Sequence, residues 1–166
     1  WRRCCGNSNA ARRGSCSTRT TRADLVAFNG LGGFTRDGRE YVIVTDADRR
    51  TPAPWVNVLA NAHFGTVVSE SGGAYTWCEN ARSYRLTPWH NDPVSDTSGE
   101  AFYVRDEHDG RFWSPTPLPA SGPQPYTTRH GFGYSVFEHD DDGIRSELQT
   151  FVAIDAPLKF LLFKLK

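Results

Sequence analysis

Phe132-Gly-Tyr-Ser-Val-Phe-Glu-His-Asp-Asp-Asp-Gly-Ile-Arg-Ser-Glu-Leu-Gln-Thr-Phe-Val152 decides the fold class. It reads as two runs rich in Val, Ile, Phe, Tyr and Thr around Asp142-Gly143. Asp-Gly is a strong short hairpin signal, because a tight two-residue turn needs positive φ and Gly supplies it without strain. On the far side of the turn Leu148 alternates with polar neighbours, as a half-buried strand requires. Thr35-Arg-Asp37-Gly38 and Glu107-His-Asp109-Gly110 repeat the turn signal upstream.

Working outward, further strands are expected at Glu40–Thr45, Phe64–Ser69, Ala74–Cys78, Glu100–Val104, Arg111–Trp113, Tyr126–Arg129, Ile144–Ala153 and Leu158–Leu165. Short strands at this spacing indicate an all-β sandwich or barrel. Lys159–Lys166 has a mixed apolar pattern that also admits a helix. Gly30-Leu-Gly32-Gly33 has no helix pattern after it, so it reads as a close-packed bend, not a phosphate loop. Thr87–Ser98, with Pro88 and Pro93, is expected to be a long loop, and prolines 115 to 125 mark another.

The 166 residues carry 19 basic and 19 acidic side chains. That zero net charge hides an asymmetry. Residues 1–23 hold six arginines and no acid, leaving the rest at minus six. Residues 1–24 are expected to form an unstructured basic arm, one that need not be native to the domain; residues 25–166 are the patterned domain. The arm lacks the apolar stretch of a signal peptide. A near-neutral chain is not expected to take nucleic acid as its partner, although a basic arm alone would keep that reading open. No apolar run approaches membrane-spanning length. Cys4, Cys5 and Cys16 lie in the arm without zinc-ligand spacing, and Cys78 reads as a packed side chain. The chain has no methionine and stops in mid-pattern, so it reads as a fragment.

No nucleophile elbow, phosphate loop or metalloprotease motif is present, so no catalytic residue and no metal site are expected. The acidic runs at 106–110 and 138–143 lack calcium-loop spacing and read as solvated turns. The informative feature is aromatics interleaved with arginines: Trp77, Arg82, Tyr84, Arg85, Trp89 and His90, and later Trp113, Tyr126, Arg129, His130 and Tyr134. Flat aromatic faces suit sugar rings, and guanidinium groups suit hydroxyls or phosphate. The same residues equally suit a core and its ion-paired rim.

An ordered succession of motifs then narrows the reading. It comprises Phe28–Ile43, Thr51-Pro-Ala-Pro-Trp-Val-Asn57, Ser71–Trp77, Asn80–Thr87, Phe102–Asp106, Phe112–Pro115, Arg129–Tyr134 and Glu147–Val152. Together they resemble the N-terminal sandwich domain of glycoside hydrolase family 94, the carbohydrate phosphorylases. Leu86–Asp96 and Gly99–Glu107 are most similar to the phosphorylase-like C-terminal region of cyclic β-1,2-glucan synthases.

The resemblance implies an antiparallel β supersandwich of the galactose-mutarotase-like kind, here incomplete. It also implies a parent enzyme, an inverting phosphorylase or glycosyltransferase. The proton donor and most phosphate ligands would lie in an (α/α)6 barrel, so this chain alone is expected to lack turnover. Inorganic phosphate would be the co-substrate, with no further cofactor. The implied partners are a β-glucan oligosaccharide, the barrel of the same chain and a second copy in a homodimer. The fragment would be soluble, its parent associated with a bacterial inner membrane or else cytoplasmic. Trp77, Arg82, Arg85, Trp89, Arg129 and His130 are the candidates for sugar-facing or interface roles. Their structural alternatives are core packing for Trp77, ion pairs for Arg85 and Arg129, and a turn at Gly131 held by His130. A stand-alone carbohydrate-binding module, with coplanar aromatics on one face, is the rival reading.

Overall fold

The computed structural model describes residues 24–166. The basic arm and the readings of Cys4, Cys5 and Cys16 lie outside the described residues, apart from Asp24. The described chain is all-β and antiparallel. Its strands are β1 (Gly32–Phe34), β2 (Glu40–Thr45), β3 (Val56–Ala60), β4 (Phe64–Ser69), β5 (Ala74–Cys78), β6 (Val104–Arg105), β7 (Phe112–Trp113), β8 (Tyr126–Gly131), β9 (Tyr134–Asp141), β10 (Ile144–Val152) and β11 (Lys159–Leu165). Six of them form one sheet in the order β1-β2-β8-β9-β10-β11; β3-β4-β5 form a second sheet and β6-β7 a short ribbon.

The β9–β10 hairpin forms as the opening stretch predicts. Asp142 and Gly143 sit at φ 49 and 80, two successive left-handed residues whose turn matches the twist of the flanking strands. In β10, Ser146, Leu148 and Thr150 are buried on one face. Leu148 and its cross-strand neighbour Phe137 meet Leu59 of β3 and Val68 of β4 to form the core. The small sheet therefore lies over β9 and β10 of the large one. Asn57 crosses the same interface, donating to the carbonyls of Gly131 and Tyr134 at 3.0 and 2.9 Å.

The strand expected at Leu158–Leu165 forms as Lys159–Leu165, paired along its length with β10 and standing at one edge of the sheet among the described residues, so the helix its pattern also admitted does not form. Three expectations need correction. Glu100–Val104 is largely not a strand. The Glu100 amide donates to the Ser98 hydroxyl at 3.0 Å and its carboxylate turns inward, so only Val104–Arg105 pairs, with Phe112–Trp113. The glycine-rich stretch bends at residues 30–31 and is closely packed at Gly32 and Gly33, as expected, but its second half pairs as β1; β3 carries no clear strand pattern because Asn57 interrupts its apolar run. The long loop at Thr87–Ser98 is present. Among the described residues no helix is long and apolar enough to cross a membrane.

Candidate glucan-contact site

Strand alternation gives the small sheet two faces. Asn57, Leu59, Thr66, Val68 and Thr76 serve the face toward the large sheet. The opposite face carries Val56, Val58, Val67, Tyr75 and Trp77, with Val56 and Val58 more than half exposed. Trp77 lies against Gly65 on the neighbouring strand. A Cβ there would come within 2.4 Å of the indole Cζ2, so only glycine lets the ring lie down. Tyr75 sits 5.5 Å from Trp77, and the Trp89 ring stacks on Tyr75 at 5.2 Å and 19°. The Arg85 guanidinium carbon is 5.4 Å from the Trp89 ring centroid, within cation–π range.

Trp89 comes from the Thr87–Ser98 loop, which is pinned at both ends. The Thr76 amide donates to the Thr87 hydroxyl at 2.8 Å, and the Gly99 amide to the Ala74 carbonyl at 3.2 Å. Near the second end the Asp96 carboxylate accepts from Ser69 Oγ at 2.5 Å and from Ser71 Oγ. Within the loop Asp92 Oδ1 accepts from the amides of Val94 and Ser95, and those two bonds hold its carboxyl below the usual carboxylate range. Between loop and sheet lies an open cleft of about 340 Å³. Val56, Val67, Tyr75 and Trp89 give it apolar walls, and Asn91, Asp92, Asp96 and Thr97 a polar margin.

A buried ion pair supports the loop neck from the core side. Lys159 Nζ lies 2.5 Å from Glu100 Oε2 and donates to Thr66 Oγ1 at 3.1 Å. Glu100 also accepts from the Thr76 hydroxyl and from Thr87 at 3.0 Å. Burial pushes the Glu100 carboxyl up. The Lys159 charge and hydrogen bond, with the two threonine hydroxyls, outweigh it and hold the group below its ordinary value.

The structure divides the six candidate residues. Trp77, Arg85 and Trp89 meet on the outer face of the small sheet. Arg85 makes no ion pair among the described residues; its Nε donates to the Ala81 carbonyl at 3.0 Å. Arg82 is exposed in the adjoining turn, where its amide donates to Asn80 Oδ1. Arg129 and His130 lie on β8, in the other sheet. Arg129 is four-fifths buried and pairs with Glu40 at 2.8 Å and Glu138 at 3.3 Å. His130 Nε2 reaches the Trp55 carbonyl at 3.1 Å and Nδ1 the Ser135 hydroxyl at 2.9 Å. Burial, opposed by the Trp55 bond, lowers its pKa. The neutral ring then donates from Nε2 and accepts at Nδ1.

Sequence reasoning missed Tyr75, Asn91, Asp92 and Asp96. Tyr75 was within reach, since a residue two positions from Trp77 on a strand shares its face. The loop residues were not, because only the fold brings them opposite Val56 and Val67. Tyr75 and Trp89 stack face on face instead of lying side by side in one plane, so the feature is a walled cleft and not the flat platform of a stand-alone module.

Comparison with known proteins follows the same line. The family described as "Glycosyl hydrolase 94, supersandwich domain" matches residues 39–166. The chain is 42% identical over 139 residues to the cyclic beta-(1,2)-glucan synthase NdvB of Rhizobium meliloti (strain 1021), covering 83% of this chain and 5% of that protein. It is 36% identical over 124 residues to the N,N'-diacetylchitobiose phosphorylase of Vibrio proteolyticus, covering 73% of this chain and 15% of the phosphorylase. It is 31% identical over 134 residues to the solabiose phosphorylase of Paenibacillus borealis, covering 78% and 17%. The chain thus spans a small part of each relative it matches.

Proposed function

Because the chain belongs to the glycosyl hydrolase 94 family as a supersandwich domain, we propose that it serves a β-glucan-active enzyme by offering the glucan a contact surface. That surface is the cleft between the small sheet and the Thr87–Ser98 loop. The observation that carries this reading is Trp89, held by Tyr75 at the cleft wall and 47% exposed. An indole that keeps half its surface in water while braced by a second ring can cover the C–H face of a sugar without reorganising. Asn91, Asp92 and Thr97 at the margin offer donors and acceptors for hydroxyls. Similarity to a cyclic β-(1,2)-glucan synthase supports β-1,2-linked glucose as the polymer.

We assign no catalytic group to this domain. Inverting phosphorolysis needs a proton donor at the glycosidic oxygen and a phosphate opposite it. In this reading both belong to a catalytic barrel of the same protein, against which the sandwich packs.

Titrating β-1,2-glucan oligosaccharides against the chain by calorimetry and tryptophan fluorescence tests the proposal. Saturable heat and a fluorescence change, both lost in Trp89→Ala, are expected. No heat and no fluorescence change with the wild-type chain would remove it.

A further inference from the structure

A second cavity lies on the other side of the Ser71–Asp96 hydrogen bond. Asp96 lines the first cleft, and Ser71, which donates to it, lines the second cavity. This cavity, of about 110 Å³, sits between the end of β2 and the proline-rich loop 117–124. Its lining includes Thr45, Arg50, Leu118, Gly122, Gln124 and Tyr126.

Two features mark it as built for a polar guest. Cross-strand register places Thr45, Tyr126, His139 and Ser146 in one row over β2, β8, β9 and β10. Four buried side-chain polar atoms lack a hydrogen-bond partner among the described residues, and two of them, Thr45 Oγ1 and His139 Nε2, belong to this row. Both residues are more than nine-tenths buried. Burying an unmatched hydroxyl or ring nitrogen costs free energy, so each such group calls for a partner, whether a water or a ligand. Thr45 lines the cavity itself. His139 Nε2 lies beneath Gly122, on the cavity wall, where an added Cβ would come within 2.4 Å of it.

The second feature is a rigid aromatic wall with its polar end spent. The Tyr126 ring is backed by His139 at 3.7 Å and 2°. Its hydroxyl donates to the Ser114 carbonyl and accepts from the Gly122 amide. What Tyr126 offers a guest is its ring. Arg50, exposed at the rim, has no ion pair among the described residues and can donate to hydroxyls. An apolar ring, one buried hydroxyl, and a guanidinium and an amide at the mouth suit a sugar, which carries C–H faces and hydroxyls on one body. The size suits one ring partly inserted, not an oligosaccharide.

We propose that this cavity is a second carbohydrate subsite that takes a single sugar unit, with Thr45 as its buried hydrogen-bonding partner. The idea deepens the glucan reading and shares its ligand class, yet the two can be told apart. No tryptophan lines the second cavity, whereas Trp89 lines the first. Glucose and sophorose, the β-1,2-linked glucose disaccharide, are the probes, and they separate a free monosaccharide from a chain end. Amide and side-chain NMR shifts of Thr45, Leu118, Gly122 and Tyr126 report the second cavity; tryptophan fluorescence reports the first.

Saturable shifts at the four residues are expected with at least one probe. In Thr45→Val, which keeps the shape and removes the hydroxyl, that affinity should fall about fivefold, the loss of one hydrogen bond. Arg50→Ala, a surface change, provides a second folded variant and should weaken binding as well. Shifts without a fluorescence change would support the second subsite on its own, and the first would still stand or fall on the oligosaccharide titration. A fluorescence change without shifts at the four residues would leave the first standing and overturn the second. Equal affinity in wild type, Thr45→Val and Arg50→Ala would also overturn it.

Discussion

Arg129 on β8 and Arg85 beside Trp89 are the same residue type in similar aromatic company, and the fold uses them oppositely. Arg129 is four-fifths buried between Glu40 and Glu138, with Tyr134 also donating to Glu40 at 2.7 Å. Each charge there has a partner fixed by strand register: Val42, Arg129 and Val136 are opposite one another across three strands, and the two glutamates flank them. Arg85 is exposed, pairs with no carboxylate among the described residues and lies over an indole ring. A guanidinium whose partners are fixed stabilises the sheet and has nothing left for a ligand. One held by a ring face and a single backbone carbonyl keeps its remaining donors in water. Around Arg129 the large sheet spends its charges on one another; the small sheet turns an aromatic face outward.

The contrast makes predictions of decreasing size. Arg129→Ala leaves two carboxylates of the large sheet without their cation, and removing one partner of a buried pair costs about 3–5 kcal/mol. Urea unfolding should show that loss, while the folded fraction keeps its affinity for glucan. An equal affinity loss would mean that Arg129 faces the ligand after all. Lys159→Met should cost somewhat less, about 2–3 kcal/mol by the same reasoning, because Glu100 keeps the hydroxyls of Thr76 and Thr87. It should also increase hydrogen exchange in the Thr87–Ser98 loop, whose neck Glu100 holds.

Trp89→Ala should do the reverse of Arg129→Ala. Its stability cost should be about 1 kcal/mol, the scale of one ring-stacking contact, and its glucan affinity should fall about tenfold or more. Calorimetry on the purified variant checks the second figure and thermal melting the first.

The smallest effect concerns pH. Glu100 has its pKa held below the ordinary 4.5 by Lys159 and the threonines, against burial. Its contribution to stability is present above that ordinary value and is lost as pH falls through the lower folded value. Glu70 is displaced upward by burial, against bonds from Thr51 and the Trp55 amide. The folded state therefore binds its proton more readily, and this group favours folding as pH falls through its raised value. Urea midpoints across the acid range should separate them. Glu100→Gln removes a loss of stability at low pH, and Glu70→Gln removes a gain. Parallel profiles for the two variants would contradict both assignments.

Most strands and the β9–β10 hairpin were legible in the sequence. Asp142-Gly143, the alternation around Leu148 and the runs at Glu40–Thr45, Phe64–Ser69 and Ala74–Cys78 are local signals, set by φ, by side-chain period and by β-branched content. The motif succession was equally legible and identified the family. Tertiary structure decided what locality cannot hold. The backbone around Glu100 left the strand pattern because its partners, Lys159 and Thr76, are distant in sequence. At Lys159–Leu165, where the mixed pattern admitted a helix beside the expected strand, the full ladder offered by β10 decided for the strand. The aromatic-arginine signal marked Trp77, Arg85 and Trp89 but also Arg129 and His130, since composition records which groups are present and not which partners reach them. Asp92, Asp96, Thr45 and His139 carried no signal of their own. Their roles arise from which strand lies opposite and which loop folds over, and those depend on register and packing between residues far apart in the chain.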